Sequence, residues 1–422
     1  MLVICANWAI TDGTLAGSAG IDARAWLHEV HRAVLRGGFG RDGRYRPVDG
    51  VEIVFAGDTF DWLVTTAWTA AHRPWHADAQ SRQMRARVEA LSLRRSRDLL
   101  AGLARWTRRG LRVPSADHVG RPRLATPVHV PVRVVFLAGD RDPWLEEAGL
   151  EADRFGWGVG RSWSDDVVDV RHGAELDPLG DSQERRGAAE WRPTIRESLL
   201  VDLVARFGAR LLEAGHRRSL VGRLTAALAA ANPLEMPALV NRASTPATES
   251  HSPDAPMRRV PLVDDWRFAV EDWHRAAVSV QPRCGLPCCP LDALADVLGA
   301  PSAWTQRAAA TGLADLLESP LCPGGEPAVA GRRHVVLGHP TAADERLEQP
   351  TGAIVCLGRS AVRRSSAGMR RAECTIPAAP AGVATIVGLR QPPAGVVWQS
   401  LDDPSPDIGR APAESIAFVD AA

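Results

Sequence analysis

Lysine is absent from this chain of 422 residues, so all 50 of its basic residues are arginine, set against 50 acidic ones. A P-loop lysine, a Schiff-base lysine and a serine–lysine dyad are thereby excluded. A GC-rich coding bias is the plainest source of the skew. Tyrosine is nearly missing too, with one residue against fourteen tryptophans. Because the charges cancel, no net field draws nucleic acid or an anionic membrane. Long apolar runs are also lacking. The most apolar helical stretch, Ser198–Ala214, is interrupted by Asp202, Arg206, Arg210 and Glu213, so no membrane span is expected. The first apolar run, Leu2–Ala6, has no charged segment before it, which gives a soluble cytoplasmic protein as the expectation. Seven cysteines, an odd number, argue against a disulfide framework.

Three short apolar runs, each stopping at a glycine, deliver carboxylate or imidazole. Val51–Ala56 leads into Gly57-Asp58-Thr59-Phe60-Asp61, and Val132–Ala138 into Gly139-Asp140-Arg141-Asp142. His334–Leu337 leads into Gly338-His339-Pro340-Thr341, and His172-Gly173 lies between the second and third turns. An open α/β sheet presents ligands in this way, on loops beyond the carboxyl ends of its strands. Taken alone, Asp58 would be an ordinary helix cap. That reading weakens once Asp140, His172 and His339 are found at matching turns.

The order of these turns resembles the calcineurin-like metallophosphoesterases, in particular the branch containing the UDP-2,3-diacylglucosamine hydrolases. That family reads D-x-H, GDxxD, GNH(D/E), a lone histidine and GHxH around two metals. Here GDxxD is intact and followed by Trp62. Asn7 and Ala9 stand where D-x-H would be, Gly139-Asp140-Arg141-Asp142 stands for GNHD, and Gly338-His339-Pro340-Thr341 for GHxH. The likeness covers about residues 1–180 and 330–400. It implies a layered β-sheet core flanked by helices. It also implies that the first metal has lost its ligands at Asn7, Ala9 and Thr341, whereas the second keeps Asp58, Asp140, His172 and His339. Such a set suits one divalent ion, Mn, Fe or Zn. The expectation is a mononuclear remnant of a binuclear site, or one holding no ion at all. In the resemblance Arg141 replaces a histidine near the leaving group. A guanidinium stabilises phosphate charge but donates no proton near pH 7. Asp142 is then expected to pair with Arg141.

The length calls for more than one typical domain. The expected fold class is α/β: a phosphoesterase-type core in two parts, 1–185 and 331–422, interrupted by a helical insertion or cap over 186–330. Within the core, helical spacing over Asp22–Leu35 ends at Gly37-Gly38, and an arginine-rich helical region at 82–109 crosses over between the first and second turn-bearing strands. Beyond His172 comes an acidic loop, Asp177–Arg186, then helical stretches at Glu190–Ala231, Asp264–Val278 and Leu291–Leu317. The Ser/Pro-rich segment 241–262 reads as a linker. Short β-runs resume from His334, with Ala353–Leu357 among them and Val396–Trp398 as the last.

Other features have bland and pointed readings. Cys284, Cys288, Cys289 and Cys322 are conceivable zinc ligands, but their spacing fits no standard knuckle, and reduced thiols in a small core are the simpler reading. His28 and His31 sit at i, i+3, more simply a solvated helix face than a ligand pair. His72-Arg73-Pro74-Trp75-His76 lines a substrate groove or only caps its loop. The dispersed tryptophans are expected in core packing.

Three functional readings follow. One is residual metal-dependent hydrolysis of a phosphoester or pyrophosphate, with a phosphorylated small molecule or lipid-like compound as substrate. The second is a catalytically inactive ligand-sensing member of the family. The third is an interaction scaffold that meets a protein partner through its helical insertion.

Overall fold

The computed structural model describes residues 1–15, 22–40, 42–148, 150, 152–166, 168–174, 177, 179–180, 191–244, 262–283 and 291–299, with five strands beyond residue 333. His339, Thr341, the four clustered cysteines and most of the 241–262 segment lie outside the described residues.

The strands are β1 (Leu2–Ala6), β2 (Ile10–Thr11), β3 (Val51–Phe55), β4 (Phe60–Asp61), β5 (Leu111–Ala116), β6 (Pro122–Val130), β7 (Val132–Leu137), β8 (Gly158–Gly160), β9 (Ser162–Ser164) and β10 (Val168–Arg171). Later in the chain come β11 (His334–Leu337), β12 (Leu347–Gln349), β13 (Gly352–Cys356), β14 (Ala384–Gln391) and β15 (Gly395–Ser400). Two sheets form the centre, ordered β15-β14-β1-β3-β7-β8 and β12-β13-β11-β10-β9. Strands β1, β3, β7 and β8 run parallel, as do β10, β11 and β13. The fold is therefore mixed α/β with parallel sheet centres.

Side-chain alternation explains why two layers form. Leu2, Ile4 and Ala6 of β1 point to one face, where they join Val54, Ala56 and Leu137 against Val168 and Val170 of the second sheet. Val3 and Cys5 point the other way, with Ile53, Phe55, Val134 and Phe136, into a helix-covered core. Strands buried on both faces read as near-continuous apolar runs; β1 does so throughout, and β3 and β7 are each broken once, at Glu52 and Arg133.

The helices are α1 (Ala23–Gly37), α2 (Ala79–Arg95), α3 (Arg97–Arg109), α4 (Ala152–Phe155), α5 (Ile195–Ser198), α6 (Arg206–Glu213), α7 (Arg218–Ala230), α8 (Met236–Ser244), α9 (Leu262–Val280) and α10 (Leu291–Gly299). Asp22 caps α1, accepting hydrogen bonds from the amides of Arg24 and Ala25. Thr194 and Glu197 form a capping box at α5, and a π-helical stretch, Leu199–Ala205, links α5 to α6. The single helical region expected at 82–109 is two helices, which part at Ser96, the C-cap of one and N-cap of the next. A hairpin of β5 and β6 follows them. The helices from α5 to α10 share one continuous apolar cluster with the helix-covered face of the first sheet. No helix among the described residues is long and apolar enough to cross a membrane.

The tryptophans meet their expected role: Trp8, Trp26, Trp62, Trp68, Trp75 and Trp106 are all buried. His31 Nε2 lies 2.9 Å from the Arg112 carbonyl, while its neighbour His28 is exposed. Arg73 is buried and donates through Nε to Asp202 at 2.9 Å, so the 72–76 loop is tied to the π-helical stretch.

Candidate metal centre

Asp58, Asp140 and His172 follow the carboxyl ends of β3, β7 and β10, two neighbouring strands of one sheet and one strand of the other. One ligand atom from each lies within 4.8 Å of the other two. His172 Nε2 stands 2.9 Å from Asp140 Oδ1 and 3.5 Å from Asp58 Oδ1. All three side chains are buried.

The glycines in the two acidic turns have distinct reasons. A Cβ on Gly57 would meet His172 Nδ1 at 2.2 Å, and its φ of +90° suits only glycine. A Cβ on Gly139 would meet Asp58 Oδ1 at 2.2 Å. Glycine thus lets one imidazole and one carboxylate come against the backbone of facing turns. Asp58 itself holds a left-handed φ of 51°, and Asn7 and Ala9 hold 60° and 45°. This strain is sustained by the pairing of the β1 and β3 loops: the Ala9 amide donates to the Asp58 carbonyl at 2.8 Å and that of Ile10 to Thr59 at 3.1 Å.

His172 is oriented from behind. Its Nδ1 lies 3.2 Å from the Ala56 carbonyl, which can only accept, so Nδ1 carries a proton and Nε2 faces the carboxylates. Burial opposes its charge, but Asp58 and Asp140 outweigh this and raise the pKa to about 10. Asp58 is pushed up to about 7, mainly by burial, then by Asp140. Its Oδ1 accepts from the Arg141 amide at 3.1 Å, whereas its buried Oδ2 makes no hydrogen bond among the described residues.

Arg141 and Asp142 occupy places other than those expected. Asp142 does not pair with Arg141. Its carboxylate accepts from the amides of Gly139 (2.6 Å) and Phe60 (3.1 Å), which locks the two turns together. Two backbone donors satisfy it locally, and burial raises its pKa to about 6. Arg141 instead turns toward Asp58 Oδ2 (Nε, 3.4 Å) and Asp61 Oδ2 (NH1, 3.3 Å), and donates through NH2 to the Ala229 carbonyl at 2.8 Å. Burial works against the guanidinium's charge, but Asp61 and Asp58 more than restore it. So Arg141 is spent on internal partners rather than presented to a phosphate.

Asp61, not among the expected ligands, also belongs to the buried cluster. Its Oδ1 accepts from the Val64 amide at 3.0 Å and its Oδ2 faces Arg141. The signal was available, since Asp61 is the second aspartate of GDxxD. His339, two residues beyond β11, lies outside the described residues. Strand β11 ends with Leu337 paired to Arg171, the residue before His172.

The residues present fit a divalent cation. Two carboxylates and an imidazole nitrogen converge within 4.8 Å of one another, a donor set of the kind that borderline divalent ions take. No family model matches the chain, and neither does any curated protein or solved structure.

Proposed function

We propose that this chain is a metallophosphoesterase-like protein holding one divalent cation, Mn, Fe or Zn, on Asp58, Asp140 and His172, with His339 as a fourth ligand. The reading includes the layered core and helical insertion of that family. Its substrate would be a phosphoester or pyrophosphate. The observation that carries it is the meeting of three buried ligand atoms, drawn from three strand ends in two sheets, within 4.8 Å of one another.

When bound, such an ion supplies Lewis acidity and an acidified water. The chain's own groups set the rest. The Ala56 carbonyl keeps the proton on Nδ1 of His172 and leaves Nε2 for ligation. Asp142 fixes the spacing of the two acidic turns. Arg141 balances Asp58 and Asp61, and it donates no proton near pH 7. Slow hydrolysis follows from this arrangement.

The test is elemental analysis of protein purified without chelator, together with turnover of an aryl phosphodiester. About one equivalent of metal with slow, metal-dependent turnover is expected, and His172→Ala should lose both. A metal-free protein that becomes no more stable with added Mn or Zn would overturn the reading. A second reading, an inactive ligand-sensing or interaction protein, is favoured by one observation: Asp58, Asp140 and Arg141 are buried and engaged with one another. Full metal occupancy without any turnover would select it.

A further inference from the structure

On the outer surface of α3, arginines recur at 97, 105, 108 and 109 with Ala101 between them. Across from them Arg154 and Phe155 end α4. These residues and Ala104 line an open groove of about 660 Å³. No carboxylate lines it among the described residues. Among the described residues Arg97, Arg105, Arg108 and Arg109 form no ion pair, whereas nearby surface arginines do: Arg24 with Asp98, and Arg161 with Glu146. In a chain whose charges cancel, this is a local excess of at least four guanidinium groups.

The groove is also partly organised in advance. The Arg108 guanidinium stands 4.8 Å from the centre of the Phe155 ring and that of Arg154 stands 5.4 Å from it. Phe155 packs in turn against Trp157, whose indole donates to Thr107 of α3. From Arg97 to Arg108 the helix rises about 16 Å. A single phosphate cannot reach along that length, but a chain of phosphates can. The one aromatic ring in the lining already carries two guanidinium groups, so no platform remains for stacking a base, on which single-strand nucleic-acid binders depend.

We propose that the α3–α4 groove is a binding site for a linear, base-free phosphate chain, held by bidentate guanidinium contacts from Arg97, Arg105, Arg108 and Arg109. It is separate from the Asp58–Asp140–His172 group and does not depend on that group's holding a metal.

The experiment is fluorescence-detected binding of end-labelled inorganic polyphosphate to the full chain, with inorganic tripolyphosphate and a single-stranded oligodeoxynucleotide of equal charge as competitors. Polyphosphate should bind and weaken steeply as salt rises. Tripolyphosphate should compete in proportion to its length, and the oligonucleotide at least about tenfold less well. R97Q/R105Q, which leaves the Phe155 contacts alone, and R105E/R108E should each lower affinity at least about tenfold without shifting the melting temperature of the unliganded protein. Equal affinity in wild type and R97Q/R105Q would overturn the proposal, as would tighter binding of the oligonucleotide than of polyphosphate.

Discussion

The buried acidic cluster has two halves that share residue types and differ in how their charges are met. On one side Asp61, Asp142 and Arg141 are satisfied. Asp142 takes two backbone amides, Asp61 takes one amide and a guanidinium, and Arg141 reaches three acceptors. On the other side Asp58, Asp140 and His172 crowd together, and among the described residues the Asp58 oxygen without a hydrogen bond has only the Arg141 Nε, 3.4 Å away, as its ion-pair partner. An aspartate on a glycine turn is therefore not a ligand by residue type alone. Its neighbours decide whether it is a structural acceptor or a site short of positive charge.

The sharpest way to break the comparison is to remove the cation of the satisfied half. Arg141→Ala leaves Asp58 and Asp61 buried without the cation they share, and a loss of about 3–5 kcal/mol in folding stability is expected. Denaturant unfolding reads it, and a loss below about 1 kcal/mol would show that Arg141 is not the counter-charge described.

Next in size is Gly57→Ala. The new methyl meets the His172 ring, and alanine disfavours the positive φ, together costing about 2–4 kcal/mol. The variant should also bind less metal, by elemental analysis, than a Gly156→Ala control. Gly156 has a positive φ too, but a Cβ there meets nothing within 4 Å. Equal metal content in the two would separate Gly57 from the site.

The third outcome is pH-dependent and confined to the ligand half. Without metal, His172 has a folded pKa of about 10 against 6.5 when unperturbed, so its contribution is complete below pH 6.5 and lost as pH rises through 10. Asp58, raised to about 7 from 3.8, acts in the same direction: the folded chain holds a proton there that the unfolded chain has released, and stability falls as pH climbs toward 7. Chelator-treated protein should melt at progressively lower temperature from pH 6 to pH 9, and added Mn or Zn should help more at pH 9. Rising stability over that range without metal would contradict the assignment of charge.

The smallest effect should be Asp142→Asn. One oxygen acceptor survives, while the amide group is set against a backbone N–H, for about 1–3 kcal/mol. Denaturant unfolding reads it, and because Asp142 joins the two acidic turns, metal content should fall with it, though by less than in Gly57→Ala.

Much of this arrangement was legible in the sequence. Strands β1, β3 and β7 announced themselves as apolar runs because both faces are buried, and the glycine–aspartate turns marked where they stop. The meeting of Asp58, Asp140 and His172 was legible only through the resemblance of the glycine turns to a known order of motifs. The β5–β6 hairpin could not, because Pro122 and Pro127 interrupt its pattern and most of β6 is exposed. Ser96 hid the break between α2 and α3, since neither glycine nor proline marks it. The partners of Arg141 were illegible for another reason: Asp61 and Ala229 lie 80 and 88 residues away, and no local rule links positions so distant.

One of those partners has a wider consequence. Helix α7 has no basic residue in its last turn, and the carbonyl of Ala229 there is met by Arg141 from the buried acidic cluster. A single guanidinium thus answers both to the carboxylates and to the end of a helix. Any anion that drew it away from Asp58 would have to loosen α7, and any partner gripping α7 would alter the charge at the cluster by the same free energy. The two surfaces are thermodynamically reciprocal, with Arg141 as the term they share.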